Sequence, residues 1–236
     1  AWGIDNHDAL VVWGDVDEDG AFTKQGERSF GAHGVALACS RMHLERGAPV
    51  MWVATRDEHC EAHRLDLAAG QLGKPRPLCR VWAAVGDDAF GIDDAGKPAH
   101  VDGLGTVSRT AVTADSDVVG TTVVTRQQAT VRRWDAPFKK PPRTMTLGKL
   151  PIDTTAPADV IATNDGVVLV QRQRRGDEPM LAVWFDMKGT SHGSSGFGDP
   201  GMGQHACAIG DKGLVCAWGD EAAAKIYALT LNPETP

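Results

Sequence analysis

Asp15-Val-Asp17-Glu18-Asp19-Gly20 sets three carboxylates at alternate positions ahead of a glycine. Alternate acids converge on one hard cation while glycine permits the sharp turn, so the segment is a candidate calcium loop. Its ligands would be Asp15, Asp17 and Asp19, with Thr23 standing at the ninth position, where a further acid is expected. In a helix-loop-helix frame the twelfth position is Gly26, and Glu27 comes one step late. An acidic, solvated hairpin turn satisfies the same pattern. An ion held here would stabilise the chain, not catalyse.

The five cysteines, at positions 39, 60, 79, 207 and 216, form no Cys-x-x-Cys pair. A tight turn at Asp211-Lys212 would place Cys207 opposite Cys216, where cross-strand Cβ atoms lie about 4.5–5.5 Å apart, slightly beyond the usual disulfide span. A bridge is feasible there with local adjustment. If the surrounding segment is a meander, Cys60 at a hairpin tip and Cys79 late in an outer strand meet at one end of a sheet, which makes a second candidate pair. Cys39 is then left over as a small buried side chain. Two bridges imply an oxidising compartment: periplasmic, cell-surface or extracellular. Five reduced core thiols would instead suit the cytosol.

Other patterns carry less chemistry. His59-Cys60-Glu61-Ala62-His63 gathers transition-metal ligand types, but on a strand the two histidines lie far apart, and a surface hairpin fits better. Gly196-Phe-Gly198-Asp-Pro-Gly201 matches the spacing of a dinucleotide loop without the strand before it or the helix after it, so it is a glycine-rich loop. Arg175-Gly176-Asp177 is a turn by composition. No GxSxG elbow, P-loop or HExxH occurs, and no residue is singled out as catalytic.

The elements that must position these groups are short strands. The 27 glycines and 13 prolines exceed ordinary usage and favour turns over long helices. Apolar strand-like runs recur in triplets. Ala9–Asp15, returning through Ala21–Gln25, opens the series. Val35–Cys39, Val50–Thr55 and His63–Leu67 follow, then Val81–Val85, Ala89–Ile92 and Ala99–Val101. Next come Thr110–Thr113, Thr121–Val124 and Ala129–Trp134, then Asp159–Thr163, Val167–Val170 and Leu181–Phe185. Ala206–Ile209, Gly213–Trp218 and Lys225–Leu231 close the series.

The expected fold is all-β: a β-propeller of about six blades, each of three to four antiparallel strands, forming a single domain over residues 1–236. Glu27–Phe30, Pro75–Cys79 and Arg143–Leu147 are expected to supply outer strands, their Pro and Arg content suiting exposed edges. Residues 136–157 read as a linker. The seven tryptophans recur about once per unit, which suggests packing between blades, with a sugar-stacking surface as the sharper alternative. A β-sandwich built from the same hairpins is the competing architecture.

Val11-Val-Trp13-Gly-Asp15 and Leu214-Val-Cys-Ala-Trp218-Gly-Asp220 share an apolar-x-Trp-x-Asp rhythm that resembles the repeats of secreted bacterial β-propellers of the sialidase-like and TolB-like kind. His63-Arg-Leu-Asp-Leu-Ala-Ala-Gly70 is similar to the blade endings of such proteins. His205-Ala-Cys207 with Gly213-Leu-Val-Cys216-Ala-Trp218-Gly219 is similar to the repeat of propellers related to the regulator of chromosome condensation. The resemblance implies an architecture and a cell-envelope setting. Sialidase chemistry would need a Tyr nucleophile and Asp-box turns; the one tyrosine, Tyr227, lies in a strand-like run, and no Asp box occurs.

The net charge of −7 disfavours a nucleic-acid partner held by phosphate contacts, and the apolar runs are too short for a membrane helix. The chain opens at Ala1, which suggests a processed or truncated piece of a longer product. The expected role is a non-catalytic, envelope-associated or secreted scaffold whose axial loops bind a protein or a glycan. The alternatives are a propeller-fold carbohydrate lyase or hydrolase, and a structural subunit of a larger complex.

Overall fold

The computed structural model describes residues 2–5, 9–16, 22–31, 36–40, 43–45, 48–56, 59–148, 153, 155–173, 180–198, 205–210, 213–219 and 224–229. Among these residues every regular element is a strand, and the strands form six antiparallel sheets that follow one another along the chain. Sheet one comprises β1 (Trp2–Asp5), β2 (Leu10–Val16) and β3 (Phe22–Ser29). In sheet two, β4 (Ala36–Cys39) and β5 (His43–Glu45) share the edge of β6 (Ala48–Arg56), followed by β7 (Cys60–Asp66) and β8 (Gln71–Leu72). Sheet three is β9 (Arg80–Val85), β10 (Asp88–Ile92), β11 (Pro98–Val101) and β12 (Val107–Arg109).

Sheet four is β13 (Ser116–Val119), β14 (Thr122–Gln127), β15 (Thr130–Asp135) and β16 (Arg143–Thr146). Sheet five is β17 (Asp159–Ala162), β18 (Gly166–Arg172), β19 (Met180–Asp186) and β20 (Ser191–Phe197). Sheet six is β21 (His205–Gly210), β22 (Gly213–Gly219) and β23 (Ala224–Leu229). The chain divides into two compact units, Ala1–Val112 and Thr113–Pro236, each holding three sheets.

Packing within each unit explains the apolar runs. Successive strand residues point to opposite faces, so a sheet covered on both sides must be apolar at every position. Strands β17, β18 and β19 of sheet five come close to that condition. Val160, Val167, Leu169, Val183 and Phe185 pack with Val124, Val131 and Met145 of sheet four. Their neighbours Ile161, Val168, Val170 and Ala182 pack with Cys207, Leu214 and Cys216 of sheet six. In the first unit Val11 and Trp13 of sheet one meet Met51, Val53 and Leu65 of sheet two, while Trp52, Ala54 and Ala62 meet Val81, Ala89 and Val101 of sheet three. A sandwich buries one face of each sheet. Here the middle sheet of each unit, sheet two or sheet five, buries both faces, against the sheet before it and the sheet after it, which is the blade packing of a β-propeller.

Local chemistry sets the strand boundaries that the sequence alone misplaces. Glu27–Ser29 is not a separate outer strand but the end of β3, the edge strand of sheet one, and the added strand is β1, which pairs with β2 from Trp2↔Trp13 to Asp5↔Leu10. Pro75–Cys79 makes one bridge, Arg76↔Ala62, since prolines cannot extend a ladder, and β8 takes the outer place. Thr110–Thr113 is not the inner strand of sheet four. The Gly120 turn (φ 58°) sets Val119 opposite Thr122 and so fixes β13 at Ser116–Val119. Thr113 instead donates its hydroxyl to the Arg126 carbonyl at 2.8 Å. Two outer strands, β12 and β20, are missed because their residues are mostly exposed and lack apolar alternation.

Glycine is required where backbones or rings crowd. Gly26 stands opposite Trp13, and a Cβ there would lie 2.4 Å from the indole. Gly189 has φ 83°, and its Cβ would meet the Thr146 carbonyl at 2.2 Å. Only glycine lets the β19–β20 turn sit against β16.

Candidate functional site

Four hairpin turns among the described residues share one device. Asp66 and Asp186 end a strand, Asp93 and Asp102 directly follow one, and each accepts two backbone N–H groups of the turn at Oδ1: Ala68 and Ala69, Lys188 and Thr190, Ala95 and Lys97, Leu104 and Thr106. A side-chain acceptor there replaces ladder partners the turn has lost. His192 Nε2 lies 2.9 Å from Asp186 Oδ2, and this bond, joined by the turn amides, holds the Asp186 carboxyl down to about 2. Asp186 therefore titrates near pH 2 in the folded chain, against about 3.9 for a free aspartate. Because the folded value is depressed, its stabilisation is complete above about pH 4 and disappears as the pH falls through about 2. Carboxyl-carbon NMR titration should place the midpoint there, and Asp186→Asn should speed hydrogen exchange of the Lys188 and Thr190 amides at neutral pH. A midpoint near 4 would remove this account of the turn.

The second unit holds a cleft of about 660 Å³ between sheets four and five. Asp115 precedes β13, Ala156–Asp159 leads into β17, and Val170, Arg172 and Gln173 lie at the end of β18; all of them line it. Its wall is pinned from below by two polar side chains that strand alternation turns into the core. Arg126 of β14, only 2% exposed, donates from Nη2 to Asp115 Oδ2 at 2.6 Å and to the Ala156 carbonyl at 2.7 Å. Gln171 of β18 donates to the Asp153 and Ala156 carbonyls at 2.7 and 3.2 Å, and its Oε1 accepts the Asp153 N–H at 2.9 Å. Asp153 and Ala156, in the connection between the sheets, are thus tied to side chains of β14 and β18. Buried polar groups engaged in this way specify one backbone arrangement.

Further ties cross between the same two sheets. Asp117 Oδ2 accepts the Ala162 N–H at 2.9 Å, and Arg133 Nη1 donates to the Thr163 and Gly166 carbonyls, both at 3.0 Å. Burial is the main influence that lowers the Arg133 pKa from its ordinary value. In the first unit Arg76 Nη2 donates to the Gly103 carbonyl at 3.0 Å.

Of the candidate calcium ligands, Asp15 and Thr23 stand opposite each other across β2 and β3, and Asp15 Oδ2 accepts from Gln25 Nε2 at 2.9 Å. Asp17 and Asp19 lie outside the described residues, as do Arg175-Gly176-Asp177 and Gly201. Gly196 falls within β20, which makes the start of the glycine-rich stretch an edge strand rather than a loop. Disulfides join Cys60 to Cys79 and Cys207 to Cys216, the latter pair directly opposite in the β21–β22 register. Cys39 is a free thiol whose pKa burial raises to about 12. His63 is half-buried on β7, its Nδ1 lying 3.3 Å from the Gly73 carbonyl and its Nε2 3.6 Å from Glu61.

Histidine–carboxylate pairs are distributed among the sheets. His100 Nε2 lies 2.8 Å from Asp88 with its ring stacked on Phe90 at 4.3 Å, and His43 Nε2 lies 3.0 Å from Glu45. Burial pushes the Glu45 carboxyl up, but bonds from His43 and Arg64 together outweigh it and hold the group below its ordinary value. Asp115, Arg126 and Gln171 were not anticipated from the sequence. For Arg126 and Gln171 the one signal is a polar side chain interrupting an apolar run, as in Val123-Val-Thr-Arg126 and Val168-Leu-Val-Gln171, and Asp115, in Thr113-Ala-Asp-Ser-Asp117, carries none.

No family model matches the chain, and no curated protein matches it. Among solved structures it is similar to BamB from Moraxella catarrhalis, with a TM-score of 0.45 and 11% identity over 95% of this chain and 83% of that one. It is also similar to TolB from Acinetobacter baumannii, with a TM-score of 0.44 and 18% identity over 76% of this chain and 46% of that one. The chain thus aligns with less than half of that TolB.

Proposed function

We propose that the chain is a non-catalytic binding scaffold of the cell envelope or of secreted material, and that the cleft between sheets four and five receives a protein partner or a glycan. The cleft carries the proposal. It combines apolar wall (Ala156, Pro157, Ala158, Val170) with a few placed polar groups (Asp159, Arg172, Gln173), the composition of a recognition site, on backbone fixed by buried side chains. Asp115 is engaged by Arg126 and so is poorly placed to exchange a proton with a substrate, which weighs toward binding over hydrolysis. The two disulfides support an oxidising compartment.

A photo-crosslinker at position 173, with envelope extract as the source of partners and a glycan array in parallel, tests the cleft. One partner should be captured by the native chain and lost from an Asp159→Lys/Arg172→Glu variant. Equal capture by both would move binding away from the cleft.

The loop Asp15, Asp17, Asp19 and Thr23 is proposed to hold structural calcium. Added calcium should raise the melting temperature of the native chain and leave that of Asp17→Ala unchanged; a native chain indifferent to both calcium and chelator removes the ion.

A further inference from the structure

We propose that, when the Cys60–Cys79 disulfide is reduced, Cys60, Cys79 and Asp94 become a site for a thiophilic divalent cation of the zinc type, so that metal and disulfide are alternative occupants of one place in the first unit. Here, uniquely among the described residues, three Cys, His, Asp or Glu side chains bring ligand atoms within 4.8 Å of one another. The proposal is independent of what the cleft binds.

The position of Asp94 is the first argument. In the β10–β11 turn, Asp93 already supplies the acceptor for the Ala95 and Lys97 amides. Asp94 is therefore released from the turn, and its carboxylate points back to sheet two. Its Oδ1 accepts the Cys60 N–H at 3.0 Å, across 34 residues, and lies 3.4 Å from Cys79 Sγ. The Cys60 amide thus aims a hard anionic oxygen at the sulfurs. Cys60 is buried, Cys79 half-buried and Asp94 exposed, so the group is anchored on one side and open to solvent on the other.

Charge is the second argument. In the oxidised protein the carboxylate is the one ionisable member of the group. Reduction adds two thiols beside it, and three negative charges this close disfavour one another's ionisation. A divalent cation reverses that balance: thiolates are its preferred ligands, and a coordinated thiol is deprotonated outright. Two sulfurs at about 2.3 Å and one carboxylate oxygen at about 2.1 Å leave the fourth tetrahedral position to water, on the open side.

The chemistry balances with a dithiol as reductant. Thiolate exchange at the Cys60–Cys79 bond transfers two electrons and two protons to the protein sulfurs and leaves the dithiol as its own disulfide. Binding of the cation then forms two metal–sulfur bonds and releases two protons to solvent. Reoxidation requires the metal to leave.

The test uses the full chain, reduced with a dithiol, desalted without oxygen, and titrated with Zn²⁺ or Co²⁺. One equivalent should bind the reduced chain and none the oxidised chain, and Co²⁺ should show the thiolate charge-transfer band. Zinc should protect Cys60 and Cys79 from the alkylation they undergo in the reduced chain without it. Removing even an outer-shell partner of a metal costs about 10–100-fold, so Asp94→Asn should weaken binding by at least about tenfold. Equal affinity in Asp94→Asn, binding by the oxidised chain, or undiminished labelling of Cys60 and Cys79 in the presence of zinc overturns the proposal. The last outcome includes the case in which reduction unfolds the chain.

Discussion

Asp115→Ala lowers the unfolding free energy by about 3 kcal/mol, more than Arg126→Met does, although Arg126 is the larger and more deeply buried side chain. The reason is which charge each substitution strands. The Arg126 side chain is 2% exposed and that of Asp115 25% exposed. Removing the carboxylate leaves a guanidinium under the cleft with backbone carbonyls but without its ionic partner, and a buried cation whose counter-charge is gone is costly. Removing the guanidinium leaves a carboxylate that can turn toward water, and methionine fills the vacated volume with apolar atoms, so the cost falls to about 1–2 kcal/mol. The double variant should sit near the Arg126→Met value, because no cation is then stranded. Urea unfolding of the four proteins of this cycle measures the asymmetry directly. Equal losses in the two single variants would mean that solvent already screens the pair.

Sheets were readable from residue types because burial on both faces leaves a plain mark. Gly166-Val-Val-Leu-Val-Gln-Arg172 is apolar at nearly every position, and Asn164-Asp165-Gly166 before it announces a hairpin. The Cys207–Cys216 pairing follows from hairpin register for the same reason. The Cys60–Cys79 bridge forms although Cys79 lies outside the ladder: in place of the outer strand expected there, the chain makes one isolated bridge at Arg76. What failed was whatever depends on solvent-facing or distant partners. The outer strands β12 and β20 satisfy backbone groups without burying an apolar face, so their residue types carry no period. The cleft failed for a different reason. Arg126 reaches a carbonyl 30 residues away, and Asp117 an amide 45 residues away. Local sequence shows that such a polar residue interrupts an apolar run, but not which backbone group of the next sheet will receive it. The Asp-capped turns lie between these cases: Asp93, Asp102 and Asp186, each with a glycine three residues on, form a spacing that becomes meaningful once the turn amides are known to meet the carboxylate.

Replacing both Cys60 and Cys79 with serine costs about 3 kcal/mol, and the same change at Cys207 and Cys216 costs about 2.5 kcal/mol. The bridges close loops of different length, with sequence separations of 19 and 9 residues, and constraint of the unfolded chain grows with the logarithm of that length. Logarithmic growth alone makes the difference small. The folded contexts widen it. Cys207 and Cys216 sit on adjacent strands whose ladder runs from His205↔Trp218 to Gly210↔Gly213, so hydrogen bonds hold the hairpin after the sulfurs are gone. The Cys60–Cys79 bridge instead ties the first residue of β7 to the residue just before β9, across a segment with one isolated bridge at Arg76. Its loss frees the connection on which sheet three is hung from sheet two. Denaturant unfolding should therefore give a lower midpoint for the Cys60→Ser/Cys79→Ser chain, and hydrogen exchange should rise first around residues 73–79. A thiol count completes the measurement: the native chain should yield one thiol per molecule and only on unfolding, because burial holds Cys39 protonated with a pKa of about 12. Five titratable thiols in freshly isolated native protein would remove both bridges, and with them the argument for an oxidising compartment.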